Sequence, residues 1–334
     1  MSALDSVLVT GGAGYIGSHV VIALREAGIP VVVVDDLSTG WRSAIPHDVP
    51  LIVGDIGNRD LIVDIVRGRA VTAVMHFAGS IVVSDSVARP LDYYANNTLK
   101  GHALIAACVQ SGIRNFIYSS TAAVYGVPAD LPVEESSDLR PINPYGSSKL
   151  MTEWFLRDVG VAQEFRYVTF RYFNVAGADP KGRAGQSTAN ATHLIKVACE
   201  FAVGRRPGLT IFGDDYATPD GTCIRDYLHV TDLAHAHILA LMYLRAGGES
   251  LTLKCGYGRG FLVREVLATV ERVGQCRLKT TLGPRRPGDP AALVAGSDRI
   301  RETLNWRPRY DDLDVIVRTA LAWERRLSES PNTT

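Results

Sequence analysis

Along the first half of the chain, short unbroken apolar runs alternate with stretches of helical period. The runs fall at residues 7–10, 31–34, 51–53, 71–77, 116–118 and 166–172 and are rich in Val, Ile and Phe. Runs this short, without polar alternation, predict strands of a parallel sheet covered on both faces. Helical periodicity fills residues 15–27, 59–67 and 90–111, and another helix is predicted from near Tyr145. Strand and helix in regular turn predict a Rossmann-type, doubly wound α/β sheet. The second half is less regular. Small and polar residues mark loops at 177–191 and 213–225, and several helices and short strands follow. Neither a repeat nor a low-complexity linker separates the halves. The expectation is a sheet domain over residues 1–175 and a smaller mixed α/β domain over 176–330, with a segment near 226–250 returning to the first. A shared interface of that kind is where a site is expected.

Composition narrows the function classes. The 334 residues hold 35 Lys+Arg against 35 Asp+Glu, with 46% hydrophobic and 21% charged. That is too apolar for a disordered chain, and it lacks the basic excess of a nucleic-acid or acidic-membrane binder. No run reaches the ~18 uncharged apolar residues of a bilayer span, and residues 1–6 lack a leader pattern. Cys108, Cys199, Cys223, Cys255 and Cys276 are scattered without a CxxC pair, which reads as reduced thiols of a cytoplasmic protein. His235 and His237 fall on different faces of a helix, so no metal site is expected.

The first strand runs into Gly11-Gly12-Ala13-Gly14-Tyr15-Ile16-Gly17. Glycines let the backbone turn tightly beneath a pyrophosphate, and the following helix N-terminus presents N–H groups to that anion. The second strand ends at Asp35, where a ribose-binding acid belongs, and a carboxylate there favours NAD by repelling the extra phosphate of NADP. Asp55, after the third strand, is placed either to meet the adenine or to cap the next helix.

Tyr145 and Lys149 share one face of the predicted helix. A tyrosine is a poor base at neutral pH, and a neighbouring ammonium is expected to lower its pKa. Thr121, at the end of the fifth strand, either hydrogen-bonds the substrate oxygen or bonds the backbone.

With these residues the chain resembles the extended short-chain dehydrogenase/reductase family, and within it the sugar-nucleotide epimerases. The likeness covers residues 6 to about 325. It includes His76-Phe77-Ala78-Gly79, the run from Arg171 to Gly177, the stretch from Ile211 to Asp232, and the run from Pro284 to Asp289. The resemblance implies an NAD-dependent epimerase that inverts C4 of a UDP-hexose through a keto intermediate, with Thr121, Tyr145 and Lys149 as the catalytic set. It implies NAD contacts from Gly11, Gly14, Tyr15, Ile16, Gly17, Asp35, Asp55, Ile56, Phe77, Ala78, Gly79, Asn96, Tyr145, Lys149 and Phe173. Besides Thr121 and Tyr145, it implies UDP-sugar contacts from Asn174, Thr192, His193, Leu194, Arg225, Arg286 and Asp289. The two arginines suit a diphosphate held by forked hydrogen bonds. A homodimer is also implied, through residues 90–111 and 145–159, with Leu99, Ala103, Ala106 and Ala107 either forming its apolar surface or packing against the sheet. Ala122 and Ala123 stand where dehydratases of the family carry acids, which argues against that chemistry. Two positions depart from the well-known pattern. Ile81 replaces a lysine, and Leu293, at the position that gates the sugar pocket, is intermediate between the residues linked to exclusion and admission of N-acetylated sugars. UDP-N-acetylhexosamine and UDP-pentose stay open as alternative substrates.

Overall fold

The computed structural model describes residues 5–189, 191–286 and 289–329. The first half runs β1 (Ser6–Thr10), α1 (Tyr15–Glu26), β2 (Val31–Asp35), β3 (Leu51–Val53), α2 (Arg59–Gly68) and β4 (Val71–His76). It continues through α3 (Val83–Ala88), α4 (Pro90–Tyr93), a π-turn (Tyr94–Leu99), α5 (Lys100–Gln110), β5 (Asn115–Thr121), α6 (Pro144–Ala162) and β6 (Arg166–Tyr172). The helix predicted over 90–111 is thus a continuous helical run interrupted in register by a π-turn.

The described residues form a seven-stranded sheet in the order β10-β6-β5-β4-β1-β2-β3, every pair parallel. Its edge strand β10 (Leu251–Cys255) comes from far along the chain, after α8 (Val230–Arg245). The return to the sheet therefore extends past the expected segment. All five residues of β1 and of β2 are buried, because helices cover both faces: α1 and α8 on one, α2, α5 and α6 on the other. Burying a side chain such as Leu8 contributes about 1.5–3 kcal/mol.

The remaining elements build the second layer. They are β7 (Asn174–Ala176), α7 (Leu194–Ala202), β8 (Leu209–Phe212), β9 (Ile224–His229), β11 (Gly260–Leu262), α9 (Val263–Gly274), β12 (Thr280–Gly283), β13 (Ala292–Leu293), α10 (Asp298–Leu304) and α11 (Leu313–Glu329). Strand β9 is the hub: it pairs with β7 and β13 in parallel and with β11 antiparallel. Among the described residues no helix is long and apolar enough to cross a membrane.

The order of strands reverses between β1 and β4. From β1 the chain winds one way to β2 and β3, and from β4 it winds the other way. Such a switch point opens a crevice beyond the carboxyl ends of the strands, where ligands bind. The glycine loop follows β1 and the Phe77-Ala78-Gly79 run follows β4, so both line that crevice.

Four buried histidines make the fold acid-sensitive. Burial lowers His19 and His237 to about 4 and His76 and His229 to about 3, against an ordinary value of 6.5. Below 6.5 the unfolded chain takes up protons that the folded chain refuses, so stability falls as pH drops. Asp226, which burial pushes up to about 6, acts oppositely between 3.8 and 6, as do the raised carboxyls of Asp35, Asp232, Asp311 and Glu324, while His193 and His235, also lowered by burial, act with the four. The denaturant midpoint is expected to be clearly lower at pH 5 than at pH 7.5. Equal midpoints would show that these histidines accept protons in the folded state.

Candidate active site

The loop after β1 is shaped by backbone proximity. Gly11 has φ +69°, and a Cβ there would lie 2.5 Å from the Ala78 nitrogen. A Cβ on Gly17 would collide with the Gly11 carbonyl. Gly14 precedes α1 with no side chain capping it, so the helix N–H groups face the crevice rather than a hydroxyl or carboxylate. Buried Asp35 organises the same loop. Its Oδ2 accepts from the Ala13 N–H at 2.9 Å and its Oδ1 from Leu37 N–H at 2.8 Å. A glycine cradle, a helix N-terminus and a carboxylate at the end of β2 fit a dinucleotide. Ile16 is half-buried beside this loop. Tyr15 instead donates its hydroxyl to the Gly177 carbonyl at 2.6 Å, tying α1 to the end of β7.

Asp55 pairs with Lys100 at 2.8 Å and accepts from Gly57 N–H, while Ile56 is buried. The N-cap of α2 is Asn58, which accepts from Leu61 N–H at 3.1 Å. That leaves Asp55 free of the capping role. Phe77 packs on His237, ring centroids 4.8 Å apart. Gly79, at φ +153°, has room for no side chain, since a Cβ would approach Asn97 Oδ1 at 2.9 Å. Asn97 is the buried asparagine here. It accepts from Ser80 N–H at 2.7 Å and donates to the Ser80 carbonyl and to Ser148 Oγ, both at 3.0 Å. Asn96, singled out from the sequence, donates to Ser80 Oγ at 3.0 Å. Ile81 is exposed, so the family's cation is missing at that point.

Helix α6 starts where Asn143 Oδ1 accepts from Gly146 N–H at 2.9 Å, with Pro144 at its first position, a capping arrangement that fixes the helix start. That start sets Tyr145 against the end of β5. Thr121 Oγ1 accepts from Ala123 N–H at 3.1 Å, which is the backbone bond expected of its hydroxyl, and it lies near enough to the Tyr145 phenol to oppose the phenol's upward shift. Lys149 Nζ donates to the Ser119 carbonyl at 2.9 Å and lies 5.2 Å over the Tyr118 ring. A Cβ on Gly79 would be 3.7 Å from that nitrogen, so Lys149 joins the catalytic helix to the cofactor crevice. The expected lowering of the tyrosine is not what the unliganded site shows. Burial pushes Tyr145 up to about 12, against the opposing Thr121 bond. Burial also pulls Lys149 down to about 8, with Glu153 opposing. Desolvation outweighs local charge here.

The second layer carries the residues expected to meet a diphosphate. Arg225, buried on β9, donates Nη2 to Asp289 Oδ1 at 2.5 Å and Nη1 to the Ile224 carbonyl at 2.8 Å. Arg286 is exposed, stacked 4.1 Å over Phe212. It faces His193, whose pKa is lowered by burial and by this guanidinium. His193 ends the loop before α7 and pairs with Gln186 at 3.0 Å; Thr192 precedes it and Leu194 opens the helix. Asn174 donates to the Asp226 carbonyl at 3.3 Å. Phe173 and Leu293 join the cluster of Ala122, Tyr125 and Leu150. Leu293 lies opposite Arg225 in the β13–β9 register.

Sequence reasoning missed Asn97 and the buried pair Arg171–Glu153. A charged residue within the otherwise apolar run ending at Tyr172 was the available signal, because a buried charge requires a partner.

Crevice, carboxylate and Tyr-Lys pair together define a dinucleotide-dependent enzyme. The NAD dependent epimerase/dehydratase family matches residues 7–256. The chain belongs to that family, and its relatives put it among the NAD-dependent epimerases, which are isomerases. A UDP-glucose 4-epimerase of Azospirillum brasilense is 61% identical over 329 residues, 98% of this chain and 94% of its own length. The UDP-glucose 4-epimerase of Brucella ovis, solved in complex with NAD, is 45% identical with a TM-score of 0.92, covering 95% of this chain and 98% of that one. The Bifidobacterium longum UDP-glucose 4-epimerase, solved with NAD+ and UDP, is 33% identical with a TM-score of 0.93, covering 99% and 100%. Asp35→Asn is expected to lower the NAD that co-purifies with the protein, read by releasing the nucleotide on denaturation. An unchanged NAD content would remove Asp35 from the cofactor site.

Proposed function

We propose that this chain is a UDP-hexose 4-epimerase that interconverts UDP-galactose and UDP-glucose, with Tyr145 as its base. The observation that carries the reading is the Tyr145 phenol, buried beside the end of β5 and followed one turn later by Lys149, which reaches the Ser119 carbonyl at the switch point of the sheet. The Tyr145 phenolate takes the proton of the sugar 4-hydroxyl and later returns it to the same oxygen, so no proton is lost over the cycle. Thr121 orients that oxygen through its hydroxyl. The Lys149 ammonium stabilises the phenolate. The chemistry the cofactor supplies when bound is a reversible hydride acceptor, with a positive charge beside the phenol in its oxidised form, so that C4 passes through a ketone and returns inverted. Arg225 and Arg286 hold the diphosphate while the keto sugar turns about its bond to it. Asp289 keeps the Arg225 fork extended. Gly11, Gly14, Gly17, Asp35, Asp55, Phe77 and Gly79 are read as the cofactor cradle, and residues 176–330, apart from the returning α8 and β10, as the sugar-nucleotide part.

The protein is further read as a cytoplasmic homodimer. Buried free cysteines support the compartment. Exposed apolar residues on adjoining helices support the dimer: Leu99 at 67%, Trp154 at 44% and Val161 at 86% exposed. Ala103 and Ala106 are half-buried on that side. Ala107 takes the alternative and is fully buried against the sheet.

Tyr145→Phe is expected to lower kcat with UDP-galactose by about 10²–10⁴-fold while NAD still co-purifies. Near-normal turnover would overturn the assignment of the base. Light scattering is expected to give twice the chain mass, and a single chain mass would refute the dimer.

A further inference from the structure

Beyond Lys149, the buried side of α6 carries another charged group one turn on. Glu153 and its partner Arg171 are 7% and 5% exposed. Arg171 Nη2 donates to Glu153 Oε2 at 2.6 Å, and its Nε donates to both carboxylate oxygens at 3.1 Å. Ser120 Oγ donates to Oε1 at 2.5 Å. Arg171 Nη1 reaches the Tyr125 hydroxyl at 3.1 Å, and the guanidinium lies 5.1 Å over that ring. A buried pair of this kind adds little net stability over apolar residues of equal volume, so stability alone gives no account of it.

Its connections do give one. Ser120 is the residue before Thr121 on β5. Tyr125 closes the 3-10 turn that follows Thr121. Arg171 sits near the end of β6, two residues before Phe173 and three before Asn174. One carboxylate thus ties together the three segments that carry Thr121, the Tyr145–Lys149 helix and the Phe173–Asn174 corner. Glu153 stands one helical turn beyond Lys149 on the same buried side of α6, while the Lys149 ammonium itself meets the Ser119 carbonyl and the Tyr118 ring. Around Glu153 itself stand Arg171 and Tyr167 from β6, Ser120 and Tyr118 from β5, and Tyr125 from the turn.

We propose that Glu153, clamped by Arg171, is a positioning residue for epimerisation: its bonds to Ser120 and Arg171 hold the segment that carries Thr121 in register with Tyr145 on α6. The inference rests on the reading of Tyr145 as the base. Removing the carboxylate frees Ser120 and the Tyr125 turn to shift against α6, so the geometry of the reacting groups loosens.

The test is kcat and KM for UDP-galactose, with thermal midpoint and bound NAD measured alongside. The variants are Glu153→Gln and the double variant Glu153→Gln with Arg171→Met. The double variant leaves no unpaired buried charge, so it decides the matter if the single one does not fold. In both, kcat is expected to fall by about 10-fold or more, with KM and NAD content near those of the parent. A double variant that folds and keeps the parent's kcat would overturn the inference. Tyr145→Phe is run in parallel to separate the two readings. If it is inert while the double variant keeps its kcat, the positioning role alone falls; if it is active, the base assignment falls and the positioning role with it.

Discussion

Helix α6 meets the end of β5 backbone to backbone at Gly146, where a Cβ would lie 2.7 Å from the Ala123 carbonyl oxygen. This contact sets the geometry of the chemistry. It brings the first turn of α6 under the 3-10 turn that follows Thr121, so that Tyr145 comes beside the end of β5. It sends Lys149 down along the sheet to the Ser119 carbonyl. Asn143 caps the same helix start and Pro144 sets its first dihedral, so the helix cannot slide by a residue without losing the cap. The chemical groups are held by elements that are rigid for reasons of packing.

The contact also determines the electrostatics. A helix seated this close to a fully buried strand leaves its inner face without water. Burial then raises Tyr145 and lowers Lys149, each shift disfavouring the charged form that proton transfer uses. In the low dielectric a charge added near the phenol is felt strongly, so the burial that disfavours the phenolate also makes it responsive to any cationic group placed beside it.

The strands and the glycine loop were legible because they depend on local signals: short β-branched runs, and glycines between a strand and a helix. Tyr145, Lys149 and Thr121 were legible from helical spacing and the end of a strand. The buried pair Arg171–Glu153 was not, because its members lie on different elements and meet only when β6 packs beside β5 under α6. The π-turn over Tyr94–Leu99 adds a residue to the helical turn and rotates the face that follows, and Ala107 is turned to the sheet rather than to the outer surface. The second layer was least legible, since β9 draws its partners from three distant stretches and no local pattern announces such pairing.

The pairing of β13 with β9 reaches further than its two residues suggest. Leu293 and Arg225 are register partners on neighbouring strands, so both side chains hang from the same few backbone hydrogen bonds. A bulkier or smaller residue at 293 that displaces β13 therefore also moves the guanidinium and its bond to Asp289, which makes the size of one side chain and the aim of the other a single mechanical variable.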